Sequence, residues 1–170
     1  MATAKRFALT KDMVIDWVAF TVLASAIFLA PMFHNQLFTG PLVNAALFIA
    51  VYFLGLKDAL LLGAIPSLIA YFVGLLPAPL GPMIPYIIIS NFIMVTIFYY
   101  LREKNYWLGV FMASFLKYIF LYATSYILID FVAKGAQAKT VAAMMSWPQF
   151  STAVAGGFLA FIFLKWIRRI

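Results

Sequence analysis

Lys117 stands in 114-SFLKYIFLYATSY-126, a tract otherwise suited to lipid, about 15–20 Å from either end of its helix at 1.5 Å per residue. An ammonium at that depth costs about 2.5–3.5 kcal/mol on insertion scales, so it must face protein, water or a bound anion. Ser114, Lys117, Tyr118, Tyr122 and Ser125 recur at spacings of three and four, which makes a polar stripe along one helical face. Two chemistries fit the lysine: contact with the carboxylate or phosphate of a ligand, or an internal ion pair with Asp16 near the start of the first apolar run. Asn91, next to Ser90, is the other polar group at depth. It suits either the amide or ring edge of a ligand, or a hydrogen bond between helices of about 1 kcal/mol.

Nearer the ends of the apolar runs, His34, Asn35 and Gln36 are three consecutive hydrogen-bonding side chains, fitted to ligand contact or to a solvated loop. Trp147 and Gln149 flank Pro148 at a helix start that Ser146 is placed to cap. The tryptophan fits an interfacial aromatic belt as well as a stacking surface.

What is missing narrows the chemistry. There is no cysteine, hence no disulfide and no thiolate metal site, and the single histidine excludes a multi-histidine metal centre. No G-x-x-x-x-G-K-[ST] and no H-E-x-x-H occurs, and no pair of acidic residues lies deep in an apolar run. The chain is expected to carry no catalytic residues, metal or cofactor, and any uphill transport must draw its energy from elsewhere.

The elements that position these residues follow from composition. Two-thirds of the residues (66%) are hydrophobic and 10% are charged, against roughly 45–50% and 25% in a soluble domain. The chain therefore reads as an all-α integral membrane protein. Apolar runs at about 12–33, 41–56, 59–76, 86–101, 106–131 and 148–167 predict a single six-helix bundle over 1–170. The second run should close at the tight turn 55-GLKD-58, and the third should kink at Pro66 before the loop 77-PAPLGPMIP-85.

With six crossings, Lys5, Arg6, Lys11, Lys57, Arg102, Lys104, Lys165, Arg168 and Arg169 fall on one side, and only Lys134 and Lys139 on the other. The positive-inside rule then puts both termini in the cytoplasm. On this reading the net charge of +7 belongs to membrane topology and not to nucleic-acid binding. Lys5, Arg6 and 24-ASA-26 loosely match a cleaved secretory signal, but Asp12 and Asp16 interrupt it and the apolar run continues past Ala26. Small residues four apart mark candidate close helix contacts: Ala26 with Ala30, Ala46 with Ala50, Ala153 with Gly157, and Gly156 with Ala160.

The tract 40-GPLVNAALFIAVYFLGLKDALLLGAIPSLIAYFVGLLPAPLGPMIPYIIISN-91, set in this six-span layout, resembles the S-components of energy-coupling factor (ECF) transporters. These are small membrane subunits that bind vitamins and other micronutrients in the prokaryotic plasma membrane. The resemblance implies a ligand near the outer face, beneath the first, third and fifth loops. His34, Asn35, Gln36, Asn91, Lys117, Tyr118, Tyr122, Trp147 and Gln149 would then be its contacts, with the 77–85 loop nearby. It further implies a transmembrane coupling subunit and two ATP-binding subunits as partners, alongside membrane lipid. Ala26 and Ala30 have the family's docking spacing but lie toward the outer end of their helix, so Ala46 with Ala50, or Ala153 with Gly157, are the substitutes. The aromatic residues near the loops suit a planar heterocycle, and Lys117 suits an anion. On this reading alanine at Lys117 or Tyr122 abolishes ligand binding. A scaffold similar to the rod-shape protein MreD shares the short, nucleotide-free six-helix layout and would need no cavity around Lys117 and Asn91.

Overall fold

The computed structural model describes residues 11–132 and 142–170. Lys5, Arg6, Lys134 and Lys139, used above for topology, lie outside those residues. Among the described residues, six helices are long and apolar enough to cross a membrane. They are α1 (Lys11–Leu29), α2 (Gln36–Phe53), α3 (Gly55–Phe72), α4 (Ile84–Leu101), α5 (Tyr106–Val132) and α6 (Trp147–Trp166). Short 3-10 turns follow α1 (Ala30–Phe33) and precede α4 (Ala78–Met83), and the described residues contain no strand.

Burial is inverted relative to a water-soluble fold. Trp17, Phe72, Ile127 and Trp166 are exposed, whereas Thr39, Asn44, Ser67, Ser90, Asn91, Ser114, Lys117, Ser125 and Thr152 are buried. This is what lipid as solvent selects: apolar side chains face outward and polar ones are kept inside the bundle.

Several boundaries differ from those read in the sequence, and each for a local reason. α2 begins at Gln36, not at Pro41, because the Asn35 carboxamide accepts the Leu37 N–H at 3.0 Å and caps the helix early. Pro41 is carried inside α2. The turn into α3 is tighter than 55-GLKD-58: Leu54 ends α2, Gly55 takes φ 76°, and Lys57 and Asp58 already belong to the first turns of α3. Glycine accepts that left-handed conformation without steric cost. α3 stops at Phe72, since Gly74 also adopts φ 76° and the Leu76 N–H turns back to the Ala70 carbonyl at 2.8 Å. Ser146 does not cap α6; its hydroxyl donates back to the Ala143 carbonyl at 2.9 Å.

α2 is the centre of the bundle, with half of its residues buried, and it packs most extensively against α6. Small residues make that contact possible. A Cβ on Gly156 would lie 2.6 Å from Asn44 Cβ and 2.8 Å from the Ala45 nitrogen, and one on Gly40 would lie 2.8 Å from Thr152 Cβ. Ala46, Ala50, Ala153 and Gly157 are all buried inside the chain, so these pairs are spent on internal packing and present no surface to a partner. Ala26 is exposed, but Ala30, in the 3-10 turn, is buried.

At one end of the bundle Arg102, just past α4, donates to the Val51 carbonyl of α2. Its guanidinium lies 4.9 Å from the Tyr52 ring centre and 4.8 Å from that of Tyr99. Tyr106 joins this cluster edge-on to Phe98 and donates to the Gly157 carbonyl at 2.7 Å. At the opposite end, the α1–α2 connection, the α3–α4 connection and the start of α6 come together.

Candidate functional site

Lys117 is 3% exposed, in the middle of α5. Its Nζ donates to Asn44 Oδ1 on α2 at 2.7 Å and to Asn91 Oδ1 on α4 at 2.8 Å. Asn91 in turn donates its amide to the Gly63 carbonyl of α3 at 2.9 Å. Three side chains thus link four helices. Asp16 takes no part: it is exposed near Met13 and Asp58, and among the described residues no ion pair is formed by Lys117. Of the two chemistries open to the lysine, the internal bridge to Asp16 is therefore excluded.

The same three residues border a cavity of about 110 Å³. Its lining comes from α2 (Gln36, Thr39, Asn44), α3 (Pro66, Ser67, Ala70), α4 (Ile87, Asn91), α5 (Lys117), α6 (Gln149, Thr152), the α3–α4 connection (Leu75, Leu76) and the approach to α6 (Met144, Met145). Among the described residues, Lys117 is the only charged one in it.

Most of the wall is already satisfied. Thr152 donates to its own helix at the Pro148 carbonyl (2.7 Å), and Thr39 donates to the Ala30 carbonyl (2.8 Å). Gln149 and Gln36 both direct Nε2 at the Met144 carbonyl, at 3.0 and 3.5 Å. Ser67 is different. It is 4% exposed, and its hydroxyl has no hydrogen-bond partner among the described residues. A helical serine ordinarily bonds back to the carbonyl four residues earlier. For Ser67 that is Gly63, whose oxygen takes the Asn91 amide instead.

The polar stripe read on α5 divides into two faces. Ser114, Lys117, Leu121 and Ser125 are buried and point into the bundle. Tyr118 and Tyr122 lie on an adjoining face with Phe111 and Phe115, in a ladder of rings that meets Phe150 of α6. Tyr122 is 51% exposed and does not line the cavity; neither does Tyr118. Trp147 is exposed and packs on Phe150 with ring centres 5.1 Å apart.

Of the first-loop trio, only Gln36 reaches the cavity. Asn35 caps α2, and His34 ties the loops together, its Nδ1 at 2.8 Å from the Met32 carbonyl and its Nε2 at 2.9 Å from the Val73 carbonyl. The structure therefore brings Gln36, Asn91, Lys117 and Gln149 together and leaves His34, Asn35, Tyr118, Tyr122 and Trp147 outside the cavity.

Asn44 and Ser67 were not singled out from sequence. The signal for Asn44 was available, since it is the one asparagine inside the apolar run 41–56. Ser67 gave no such signal, because a serine beside a proline in a membrane helix is ordinary. Compared with models of known families, with curated proteins and with solved structures, the chain matches none.

Proposed function

We propose that this chain is the solute-capturing S-component of an ECF-type importer in a prokaryotic plasma membrane. The observation that carries this reading is the cavity beneath the gathered connections, with Lys117 and Asn91 at its border. In this reading both termini are cytoplasmic, and the end holding His34, the 77–85 loop and Trp147 faces outward. The solute enters from that side, Gln36 and Gln149 close over it, and separate coupling and ATP-hydrolysing subunits drive its release. The cavity is smaller than the roughly 300–1,000 Å³ of drug-sized ligand sites. A vitamin-sized solute therefore requires the Met144–Gln149 segment to move outward.

A scaffold of the MreD kind would gain nothing from an uncompensated lysine beside empty space, which weighs against that alternative. The docking surface for the coupling subunit must be sought on exposed helix faces. The strongest is the outer side of α1, where Val18, Val22 and Ser25 are exposed.

The test is purification of the tagged full chain from its native membrane, followed by mass spectrometry of what accompanies it. Recovery of a membrane coupling subunit and two ATP-binding subunits supports the proposal. Recovery of cell-shape proteins in their place, with no ATPase, overturns it.

A further inference from the structure

The cavity's chemistry discriminates among solute classes, and this inference rests on the solute-binding reading above. Lys117 contributes one positive charge, and among the described residues no carboxylate or second cation lines the space. An ammonium has three N–H donors, of which Asn44 and Asn91 take two. Ser67 lines the same space, and its buried hydroxyl has no partner among the described residues. The apolar part of the lining is Pro31, Val43, Ala70, Leu76, Ile87 and Met145.

From this geometry we infer that the solute is a small monocarboxylate, its carboxylate taking the third Lys117 N–H and the Ser67 hydroxyl, and its apolar body lying against the α3–α4 connection and Met145. A single negative charge cancels the one buried cation, whereas a phosphate ester or dicarboxylate would leave a net charge in a low-dielectric site. An amino acid is disfavoured because, among the described residues, no carboxylate lines the space to pair with its ammonium. Size points the same way. A dry cavity of about 150 Å³ accommodates benzene, so about 110 Å³ holds a short acid without rearrangement. The exposed tyrosines outside the cavity give a flat heterocycle no stacking surface there.

The experiment measures binding to the purified full chain in nanodiscs by calorimetry and by thermal shift. The probes are butyrate, its neutral isostere butyramide, benzoate, inorganic phosphate, succinate and alanine. Butyrate should bind, benzoate less well for its bulk, and the others should bind at least about tenfold more weakly, the size of a lost charged hydrogen bond. Lys117→Met, which keeps the volume and removes the charge, should weaken butyrate binding about a hundredfold while the protein remains monodisperse. Ser67→Ala should weaken it about tenfold.

Equal binding of butyramide, tighter binding of phosphate, succinate or alanine, an unaltered affinity in Lys117→Met, or no binding of either monocarboxylate by folded wild-type protein overturns the inference. Should Lys117→Met fail to fold, Ser67→Ala and the butyrate–butyramide pair still decide it. Failure here with coupling subunits recovered from the membrane refutes the solute class alone. Butyrate binding without those subunits refutes the importer reading and leaves the solute class standing.

Discussion

Two cations are tied into this bundle by hydrogen bonds to other helices, Lys117 buried in its middle and Arg102 half-buried at one end, and their surroundings differ in kind. Arg102 closes one end: its guanidinium donates to the Val51 carbonyl, lies over the rings of Tyr52 and Tyr99, and has Glu103 at 3.8 Å. A planar, delocalised cation is matched here by aromatic faces and a carbonyl. Lys117, toward the other end, has two amide oxygens, no carboxylate and an adjoining cavity. The arginine fastens one end of the bundle. The lysine, with two acceptors for three donors beside a cavity, is the group on which the solute-binding proposal rests.

The sharpest way to break this comparison is through packing at the cavity end. Gly156→Val places a side chain where even a Cβ would lie 2.6 Å from Asn44 Cβ. Overpacking of this kind costs about 3 kcal/mol or more when backbone must shift. The α2–α6 contact should therefore open, seen as a large loss of thermal stability and of butyrate binding together. A variant as stable as wild type would show that Asn44 is not held by that contact.

Arg102→Met comes next. It should lower stability by about 2 kcal/mol, the sum expected for a cation–π contact and a charge-assisted hydrogen bond, without altering solute affinity. If it abolished binding and left stability intact, the assignment of roles to the two ends would be reversed. Lys117→Met should instead remove most solute affinity, and it should also cost about 1–3 kcal/mol of stability, since the buried Asn44 and Asn91 carboxamide oxygens lose the donor they share.

A smaller effect is expected at His34→Ala. Losing the tie to the Val73 carbonyl should cost about 1 kcal/mol and loosen the connections over the cavity, read as faster hydrogen exchange at residues 73–76. Smallest of all is Tyr122→Ala. The exposed ring lies outside the cavity, so stability should change by about 0.5 kcal/mol or less and butyrate affinity should be unchanged. A lost affinity would move the ligand to the α5–α6 aromatic ladder.

The contrast also shows which parts of the site could be seen in advance. Lys117 and Asn91 stood out because a cation and a carboxamide are costly in lipid wherever they occur, so their depth alone marked them. Tyr118 and Tyr122 were grouped with Lys117 by spacing, yet the helical period of 3.6 separates positions 117 and 118 by about 100°. That is enough to send one into the bundle and the other onto an adjoining face. Asn44 and Ser67 depend on which helices are neighbours. Lys117 is 73 positions from Asn44, and no local pattern connects them. Ser67 has no partner among the described residues, while the Gly63 carbonyl four residues earlier receives the Asn91 amide from another helix. The small-residue pairs teach a similar lesson: spacing identified close contacts, but whether α6 or another protein fills them depends on packing.

Sequence by itself determined the solvent and the number of helices, because a chain with this apolar content and these run lengths has few ways to satisfy its backbone in lipid other than as spanning helices. Only the tertiary structure decided which polar groups neutralise one another and which are left facing space. Hydrogen bonds act over about 3 Å, and helices distant in sequence must be brought to that range before a buried lysine becomes either a bridge or a binding site.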